Sequence, residues 1–261
     1  MSDPKYEVYA IKYAHHARRA SENFIGGDPH DGPMPLDYFV WLIRGERREI
    51  VVDTGFSAPM AAKRQRDHIR CPTEGLKLLG CNAAEVKDVV ITHLHYDHVG
   101  NFDLFPAATL HLQDLEMNYA TGRHMGKPVF NGAYEVEDVV GMVRRVYAGR
   151  VRFHDGDAEL APGVSVHLIG GHTRGLQVVR VATRRGWVVI ASDASHFYAN
   201  MEEIRPFPIV FSVADMVEGY ERLRALAASP AHIIPGHDPL VLERYPAPAN
   251  SALQGIVARL D

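Results

Sequence analysis

Four side chains within the stretch VVITHLHYDHVGN have the types and the spacing that metal ions require. Residues two apart in an extended segment point to the same side, so His93 and His95 can approach one cation together. Asp97 and His98 then face elsewhere, where they can reach a second cation close to the first. This motif therefore predicts ligands for two metal ions.

A site for two metals needs further ligands, and three candidates follow strand-like runs of the sequence. They are His172, Asp193 and His237. Gly170 and Gly171 free the backbone before the first of them. A loop that begins where a strand ends can aim its side chains into a shared cleft. The candidates supply only imidazole and carboxylate donors, which suit Zn²⁺ and also accept Fe, Mn, Co or Ni.

The elements that must position these ligands alternate between strand and helix along the chain. Runs rich in β-branched and aromatic residues predict strands at 6–13, 38–44, 49–52, 88–92, 108–112, 150–154, 164–169, 176–183, 187–192 and 231–234. Apolar residues at helical spacing predict helices at 58–69, 73–80, 113–120, 136–147, 214–228 and 250–260. The alternation predicts an α/β protein in which two similar halves pack sheet to sheet, within one domain spanning residues 1–261.

Composition excludes several classes of function. The chain has 261 residues, of which 46% are hydrophobic and 23% charged, as in water-soluble globular proteins. A formal net charge of −4 argues against nucleic acid as a partner. The chain begins without the pattern of a signal peptide and has no apolar run of about 18 residues, so no membrane contact is expected. Two cysteines, Cys71 and Cys81, suit a reducing cytoplasm.

Five stretches in order resemble the motifs of the metallo-β-lactamase superfamily. They are Asp53-Thr54-Gly55, the run THLHYDH from Thr92 to His98, Gly171-His172-Thr173, Ser192-Asp193 and Pro235-Gly236-His237. The resemblance spans residues 53–237 and implies a four-layer αββα sandwich, with two mixed sheets packed face to face and helices outside. It implies the following ligand sets: His93, His95 and His172 for one metal, and Asp97, His98 and His237 for the other. Asp193 would bridge both metals, and Asp53 would orient the ligands.

The resemblance also implies hydrolysis. Superfamily members with oxygen or redox chemistry usually carry Glu at the position of His95 and add a flavin-binding domain, for which this chain leaves no residues. In the implied reaction, a hydroxide held between the metals attacks a carbonyl carbon while one metal polarises the carbonyl oxygen, and Asp97 passes a proton to the leaving oxygen. A non-enzymatic relative would be expected to have lost ligands, and all seven are present here.

Within the superfamily, the chain most resembles the N-acyl homoserine lactonase and 4-pyridoxolactonase group through THLHYDHVGN, GGHTRGLQ and SDAS. The implied substrate is a small-molecule lactone, and a homodimer is consistent with this group. The alternative substrate is an acyclic ester, thioester, amide or cyclic amide. Acyl homoserine lactonases usually carry Tyr three positions after the bridging Asp, where this chain has His196, with Tyr198 two residues further on. Either side chain can donate a hydrogen bond to a developing oxyanion, and position favours His196.

Aromatic residues and methionines in loops are candidates for the wall of a substrate pocket, although such side chains also pack in cores. They are Phe24, Met34, Tyr38, Met125, Phe130, Tyr134, Phe197 and Phe207. The glycine-containing segment 121–134 is typical of a lid or interface loop. Arg123 and Arg205 have the chemistry to bind a substrate carboxylate, although isolated arginines are commonly solvated. Among the other histidines, His111 is expected to pack with hydrogen bonds, and His154 is expected to face water.

Overall fold

Two mixed β-sheets form the centre of the protein in a computed structural model, which describes residues 5–261. The first sheet contains β1 (Glu7–His16), β2 (Leu36–Arg44), β3 (Glu49–Val52), β4 (Asp67–His68), β5 (Asp88–Val90), β6 (Thr109–Gln113), β7 (Val151–His154) and β13 (Val257–Arg259). The second sheet contains β8 (Ala158–Ala161), β9 (Val164–Leu168), β10 (Gln177–Thr183), β11 (Gly186–Ser192) and β12 (Ile233–Pro235). Residues 1–4 of the predicted domain lie outside the described residues.

The strand order brings parallel strands together in each sheet. The first sheet runs β13-β1-β2-β3-β5-β6-β7, with β4 beside β1, and its neighbours from β3 to β7 are parallel. The second sheet runs β12-β11-β10-β9-β8, and β11 is parallel to β12. Because the carboxyl ends of parallel strands meet at one edge of a sheet, loops that follow β3 and β5, or β11 and β12, begin side by side.

Helices connect the strands, and the longer ones cover the outer faces of both sheets. The helices are α1 (Ala58–Arg64), α2 (Pro72–Leu78), α3 (Tyr96–Val99), α4 (Asp114–Ala120), α5 (Pro128–Asn131), α6 (Val136–Tyr147), α7 (Tyr198–Glu202), α8 (Val213–Leu226) and α9 (Leu240–Arg244). Leu76 of α2 and Met142 of α6 pack on the outer face of the first sheet, while Met216 and Tyr220 of α8 pack with the second. The expected four-layer αββα sandwich is therefore confirmed.

Alternation of apolar residues explains why the strands of the first sheet are buried on both faces. Along β1, Val8 and Ala10 enter the core between the sheets, whereas Tyr9 and Ile11 enter the core beneath the helices. Successive side chains of a strand point to opposite faces, so a strand between two layers needs apolar residues at every position. This arrangement accounts for the nearly continuous apolar run of β2, LDYFVWLIR.

Two helix predictions are wrong because each includes a segment that forms a strand beside β1. The helix predicted at 58–69 ends at Arg64, because Gln65 adopts a left-handed conformation with φ of 56°, and β4 follows it. The helix predicted at 250–260 is a single 3-10 turn, Ser251–Leu253, followed by β13. Pairing with the otherwise open edge of β1 outweighs the helical spacing, since Val257 and Ala258 are buried on opposite faces.

Among the histidines outside the metal-ligand motifs, the prediction of burial is confirmed for His111, and the prediction of exposure is wrong for His154. His111 is buried and hydrogen-bonded as expected, with its Nε2 atom 3.2 Å from Asp88 Oδ1. His154 was expected to face water but is buried and stacks on His111, with 3.0 Å between His154 Nε2 and His111 Nδ1. Neighbouring parallel strands β6 and β7 place the two rings side by side, a contact that sequence spacing does not reveal.

No helix within residues 5–261 combines the length and the apolar character needed to cross a membrane. The homodimer and the cytoplasmic location stay predictions.

Trp41 provides a test of packing between the sheets. Its side chain is fully buried in that core, and its Nε1 atom has no hydrogen-bond partner among the described residues. Trp41→Ala should lower the free energy of unfolding by about 3–5 kcal/mol through cavity formation. Trp41→Phe should cost less than about 2 kcal/mol, because it removes an unpaired N–H group and leaves a smaller cavity.

Urea unfolding followed by circular dichroism measures both changes, with Tyr147→Ala as the control because Tyr147 is 90% exposed. Equal losses for the two Trp41 variants would show that the indole N–H contributes to stability.

Candidate metal centre

The ends of five strands carry the side chains of the candidate centre. Asp53 follows β3, the HLHYDH run follows β5, and His172 lies in the loop after β9. Asp193 follows β11, and His237 follows β12. The two sheets thus contribute residues from the same edge of the sandwich, which is where loops of an open α/β sheet form sites.

All seven predicted ligands come together in two neighbouring groups. The first group contains His93, His95, His172 and Asp193, and the second contains Asp97, His98 and His237, while a third group of Asp193, His196 and His237 connects them. Within each group the donor atoms lie within 4.8 Å of one another. This pairing of residues is the one that the family resemblance implied.

Asp193 lies between the two groups and presents one carboxylate oxygen to each. Its Oδ2 atom is 3.2 Å from His172 Nε2 and 3.8 Å from His93 Nε2. Its Oδ1 atom is 3.0 Å from His237 Nε2 and 3.3 Å from His98 Nε2. A carboxylate placed in this way can bind two cations at once.

Backbone carbonyl groups orient two of the imidazoles. His172 donates from Nδ1 to the carbonyl oxygen of Ile209 over 2.7 Å, and His237 donates from Nδ1 to the carbonyl oxygen of Asp37 over 2.9 Å. A carbonyl oxygen only accepts hydrogen bonds, so each Nδ1 carries a proton, and in the neutral ring the lone pair is then on Nε2. Both Nε2 atoms point toward Asp193 and are therefore prepared to bind a metal.

Asp53 holds the strand end that precedes the histidine motif. It is fully buried and has a φ of 60°, and its Oδ2 atom is 2.7 Å from Nδ1 of His98. Its two oxygens also accept hydrogen bonds from the backbone N–H and the hydroxyl of Thr92, both at 2.8 Å. Ser192, with a φ of 45°, occupies the matching place before Asp193. Such left-handed residues cost about 1–3 kcal/mol each, so the surrounding contacts must hold them.

Burial and charge divide the imidazoles into two kinds. Burial lowers the pKa of His93 and of His95 well below the ordinary value and lowers the pKa of His172 to about 3. Burial acts in the same direction on His98, but the nearby carboxylates, Asp193 foremost, outweigh it and raise the pKa of His98. The first three rings are neutral at pH 7, which is the form that binds a metal ion.

Several donor atoms of the centre are buried without a hydrogen bond of normal geometry to any described residue. They are His93 Nε2, His98 Nε2 and Asp193 Oδ1. Leaving such atoms unpaired costs about 1–3 kcal/mol each, and more where a group is charged. Two divalent cations would satisfy all of them, so these residues fit a pair of metal ions.

Two positions require glycine because neighbouring atoms come too close for a Cβ atom, and not because the glycines bind a metal. Gly171 has a φ of 82°, and a Cβ atom there would lie 2.6 Å from the backbone nitrogen of Met216. At Gly236 a Cβ atom would lie 2.8 Å from Oδ1 of Asp193. Each glycine therefore lets its following histidine, His172 or His237, come close to the centre.

Glu116 of α4 is a supporting residue that no sequence motif revealed. It is fully buried, and its Oε1 atom accepts hydrogen bonds from Leu94 N–H and the Tyr134 hydroxyl, both at 2.9 Å. Its Oε2 atom accepts from the Thr173 hydroxyl at 2.6 Å and from Gly175 N–H at 3.1 Å. Glu116 thereby ties the loop of His93 and His95 to the loop of His172. In the sequence it stands among ordinary helical residues, QDLEMNYA, which hides this role.

His196 joins the centre, but Tyr198 does not. His196 Nε2 lies 3.1 Å from Asp193 Oδ2, and its ring stacks on Phe207 with 3.8 Å between ring centroids. Tyr198 packs beneath the Arg244 guanidinium, 3.8 Å from ring centroid to Cζ, and does not line the cavity above the centre. The helix α7 begins at this residue and turns its side chain into the core between sheet and helices. The structure therefore removes support for Tyr198 as a catalytic residue.

A cavity of about 190 Å³ opens above the centre. Of the predicted wall residues, Tyr38, Phe130 and Phe207 line it. The others lie outside its lining, namely Phe24, Met34, Met125, Tyr134 and Phe197. The segment 121–134 contributes only its end, from Val129 to Ala133.

The arginines at this cavity differ from those that the sequence suggested. Arg123 and Arg205 do not line it, and Arg205 is paired with Asp28 and Glu203. Three other arginines do line it: Arg18, Arg64 and Arg66. These arginines are far from the ligand motifs in the sequence, so nothing in the sequence indicated that they line the cavity.

A family model described as the metallo-beta-lactamase superfamily matches residues 34–237. The chain belongs to this superfamily, and the expectation of a metal-dependent hydrolase is confirmed at this level.

Curated relatives narrow the comparison. The chain is 28% identical over 235 residues to an N-acyl homoserine lactonase AttM of Azorhizobium caulinodans, a match that covers 82% of this chain and 85% of that protein. It is 25% identical over 190 residues to an N-acyl homoserine lactonase of Bacillus cereus, covering 67% and 70% respectively. The crystal structure of a quorum-quenching N-acyl homoserine lactone lactonase has the same fold, with a TM-score of 0.75, 23% identity, and coverage of 91% and 93%.

The contribution of Glu116 can be measured directly. The Glu116 carboxylate accepts hydrogen bonds from four donor groups, two on each oxygen. In Glu116→Gln an amide NH₂ group replaces one of these oxygens, so two of the donor groups lose their acceptor. We expect a loss of about 2–4 kcal/mol in the free energy of unfolding and a 10- to 100-fold weaker metal affinity. Denaturant unfolding and zinc titration measure the two effects.

Glu46→Gln serves as the control because Glu46 is exposed. Wild-type stability and metal affinity in Glu116→Gln would show that the four hydrogen bonds do not position the centre.

Proposed function

We propose that this protein is a dinuclear metal-dependent hydrolase that opens the ring of a small-molecule lactone. One observation carries the proposal: the two oxygens of Asp193 face two separate groups of buried donors. His93, His95 and His172 would hold one cation, and Asp97, His98 and His237 would hold the other. The donor set suits Zn²⁺. When bound, such ions make water a stronger acid and polarise a carbonyl group.

Asp97 is placed to move a proton at the mouth of the centre. It lines the cavity, and its Oδ2 atom is 3.6 Å from His98 Nε2 and 3.8 Å from His237 Nε2. The hydroxyl of Tyr13 donates to the Asp97 carbonyl oxygen over 2.8 Å and fixes its backbone. We assign to Asp97 the transfer of a proton, released by the attacking water, to the alkoxide oxygen that leaves when the ring C–O bond breaks.

His196 is placed to stabilise negative charge on the carbonyl oxygen. Its ring is held flat against Phe207 and lines the cavity, and its Nδ1 atom is buried without a hydrogen-bond partner among the described residues. An imidazole N–H fixed in this way can donate to an oxyanion without first reorganising. We therefore assign to His196 the position at which acyl homoserine lactonases usually carry tyrosine.

The relatives and the cavity support a lactone rather than a large substrate. Curated relatives are N-acyl homoserine lactonases, and a cavity of about 190 Å³ accepts a small ring with a short substituent. The acyl or aromatic part of the substrate would contact the cavity wall rather than the ligands. The wall residues therefore decide which substituent the site accepts.

Metal content and turnover test the proposal together. We expect about two metal equivalents per chain by elemental analysis after loading with zinc or manganese. Lactones should be hydrolysed faster than acyclic esters, thioesters and amides in a pH-stat assay. Chelation should abolish turnover, and metal should restore it. His237→Ala should lose one equivalent.

His232→Ala is the matched control, because His232 bonds to Ser229 and to the Arg185 carbonyl and does not line the cavity. Turnover that survives complete metal removal would contradict the metal mechanism, and a preference for acyclic substrates would replace the lactone.

His196→Ala tests the oxyanion donor. We expect kcat to fall about 10²- to 10³-fold with metal content unchanged, the usual effect of removing one such donor. His196→Gln, which keeps an N–H group, should retain more of the activity than His196→Ala. Steady-state kinetics with parallel elemental analysis separate this role from metal binding. Unchanged kinetics in His196→Ala would exclude it.

A further inference from the structure

Three arginines line the cavity, and two of them form no salt bridge among the described residues. Arg18, Arg64 and Arg66 line the cavity, while the acidic residues among its described lining are Asp97 and Asp193, both assigned above to the metals. Arg64 is paired with Glu135 at 2.6 Å. No carboxylate of the described residues lies within 4.0 Å of a guanidinium nitrogen of Arg18 or Arg66.

Two tyrosines connect Arg66 to the residues of the centre. Its Nε atom donates to the Tyr96 hydroxyl over 3.2 Å, and the Tyr96 and Tyr38 hydroxyl oxygens are 3.4 Å apart. The Tyr38 ring in turn packs edge-on against His237, with 5.1 Å between centroids. Arg66 Nη1 donates to the backbone carbonyl of Arg64, and the side chain also lies within hydrogen-bonding reach of the Tyr38 hydroxyl. The guanidinium is thus fixed near the centre by neutral partners.

Arg18 reaches the cavity on the side of His196. Its Cζ atom lies 5.1 Å from the centroid of Phe207, the ring on which His196 stacks. Its Nε and Nη2 atoms donate to Asn23 Oδ1 and to the Glu22 carbonyl oxygen, at 2.7 Å and 2.6 Å. These neutral acceptors hold the side chain in place, and the nearby Glu22 carboxylate offsets part of its charge without forming a salt bridge. An arginine ordered in this way retains its charge for a ligand.

The field of the two arginines acts on a neighbouring histidine. Burial, together with the charges of Arg66 and Arg18, lowers the pKa of His16 to about 4 and outweighs the opposite effect of the Glu22 and Asp67 carboxylates. A local positive field of this kind attracts an anion, because half-buried charges are screened less than exposed ones.

Resting on the function proposed above, we propose that Arg18 and Arg66 select lactones that carry an oxyanion substituent, carboxylate or phosphate, beside the ring carbonyl. The ligands would receive the carbonyl at one end of the cavity, and the arginines would receive the oxyanion at the other. Guanidinium groups bind both kinds of oxyanion through paired N–H donors. A neutral substrate would leave the two charges without a partner in a partly buried site, which disfavours its binding.

Binding of two probe anions tests the arginines without any turnover. Phthalate and phenyl phosphate are titrated calorimetrically into the full-length, metal-loaded protein. We expect each of Arg66→Gln and Arg18→Gln to weaken the better-bound probe about 10- to 100-fold, the effect of losing one charge-assisted pair. The probe that shows the larger dependence on these arginines identifies the oxyanion as carboxylate or phosphate.

Arg123→Gln is the matched control, since Arg123 is exposed and does not line the cavity, and it should bind both probes like the wild type. Equal affinity of both probes for the wild type, Arg66→Gln and Arg18→Gln overturns the proposal, even if lactone hydrolysis is observed. Circular dichroism verifies that each variant is folded.

A matched pair of substrates provides a second test that needs no variant. A γ-lactone with a ring carboxylate is compared with its methyl ester, and the wild type should show at least a 10-fold higher kcat/KM for the carboxylate, mainly through KM. That ratio should fall in Arg66→Gln. A ratio of one or less in the wild type overturns the selection of oxyanions while leaving lactone hydrolysis in place. Absence of turnover for every lactone would instead contradict the proposed function, and the binding titration would still decide the role of the arginines.

Discussion

The burial of one carboxylate among five imidazoles is the constraint on which the rest of this structure depends. Asp193 is 2% exposed, and its oxygens lie within 4.0 Å of His93, His98, His172, His196 and His237. Taking these groups out of water is costly unless they are paired, and their mutual hydrogen bonds leave several donor atoms unsatisfied. A rigid scaffold is needed to hold a cluster of this kind, and bound cations would stabilise it further.

The scaffold supplies that rigidity through the ends of its strands. Asp53 and Ser192 both adopt left-handed conformations at the edge of the two sheets. Thr92, which donates to Asp53, connects the two through a 3.0 Å contact between its hydroxyl and that of Ser192. Glu116 adds a second tie between loops of different strands. Because strain at these positions is offset by a fully packed core, the ligands keep their geometry without help from flexible loops.

The walls of the cavity differ from its floor in the kinds of residue that form them. The floor consists of ligands whose neutral or charged state is set by burial and by Asp193. The walls consist of aromatic rings that exclude water and of arginines held by tyrosine, asparagine and backbone carbonyls. In the proposed function, the floor would act on the bond that is broken, and the walls would contact the rest of the substrate. Relatives with the same floor can therefore differ in substrate.

The sequence by itself determined the candidate ligands and the general architecture. The His93 to His98 motif and the three strand-end candidates follow from local spacing, and the strands were recognisable because layers on both sides demand apolar runs. Only the tertiary structure decided what contacts arise between distant segments: β13 pairing with β1, Glu116 joining two loops, Tyr198 turning into the core, and Arg18 and Arg66 facing the centre. The physical reason is that periodicity reports which face of an element is apolar, whereas the partner of a buried polar side chain depends on how elements pack in three dimensions.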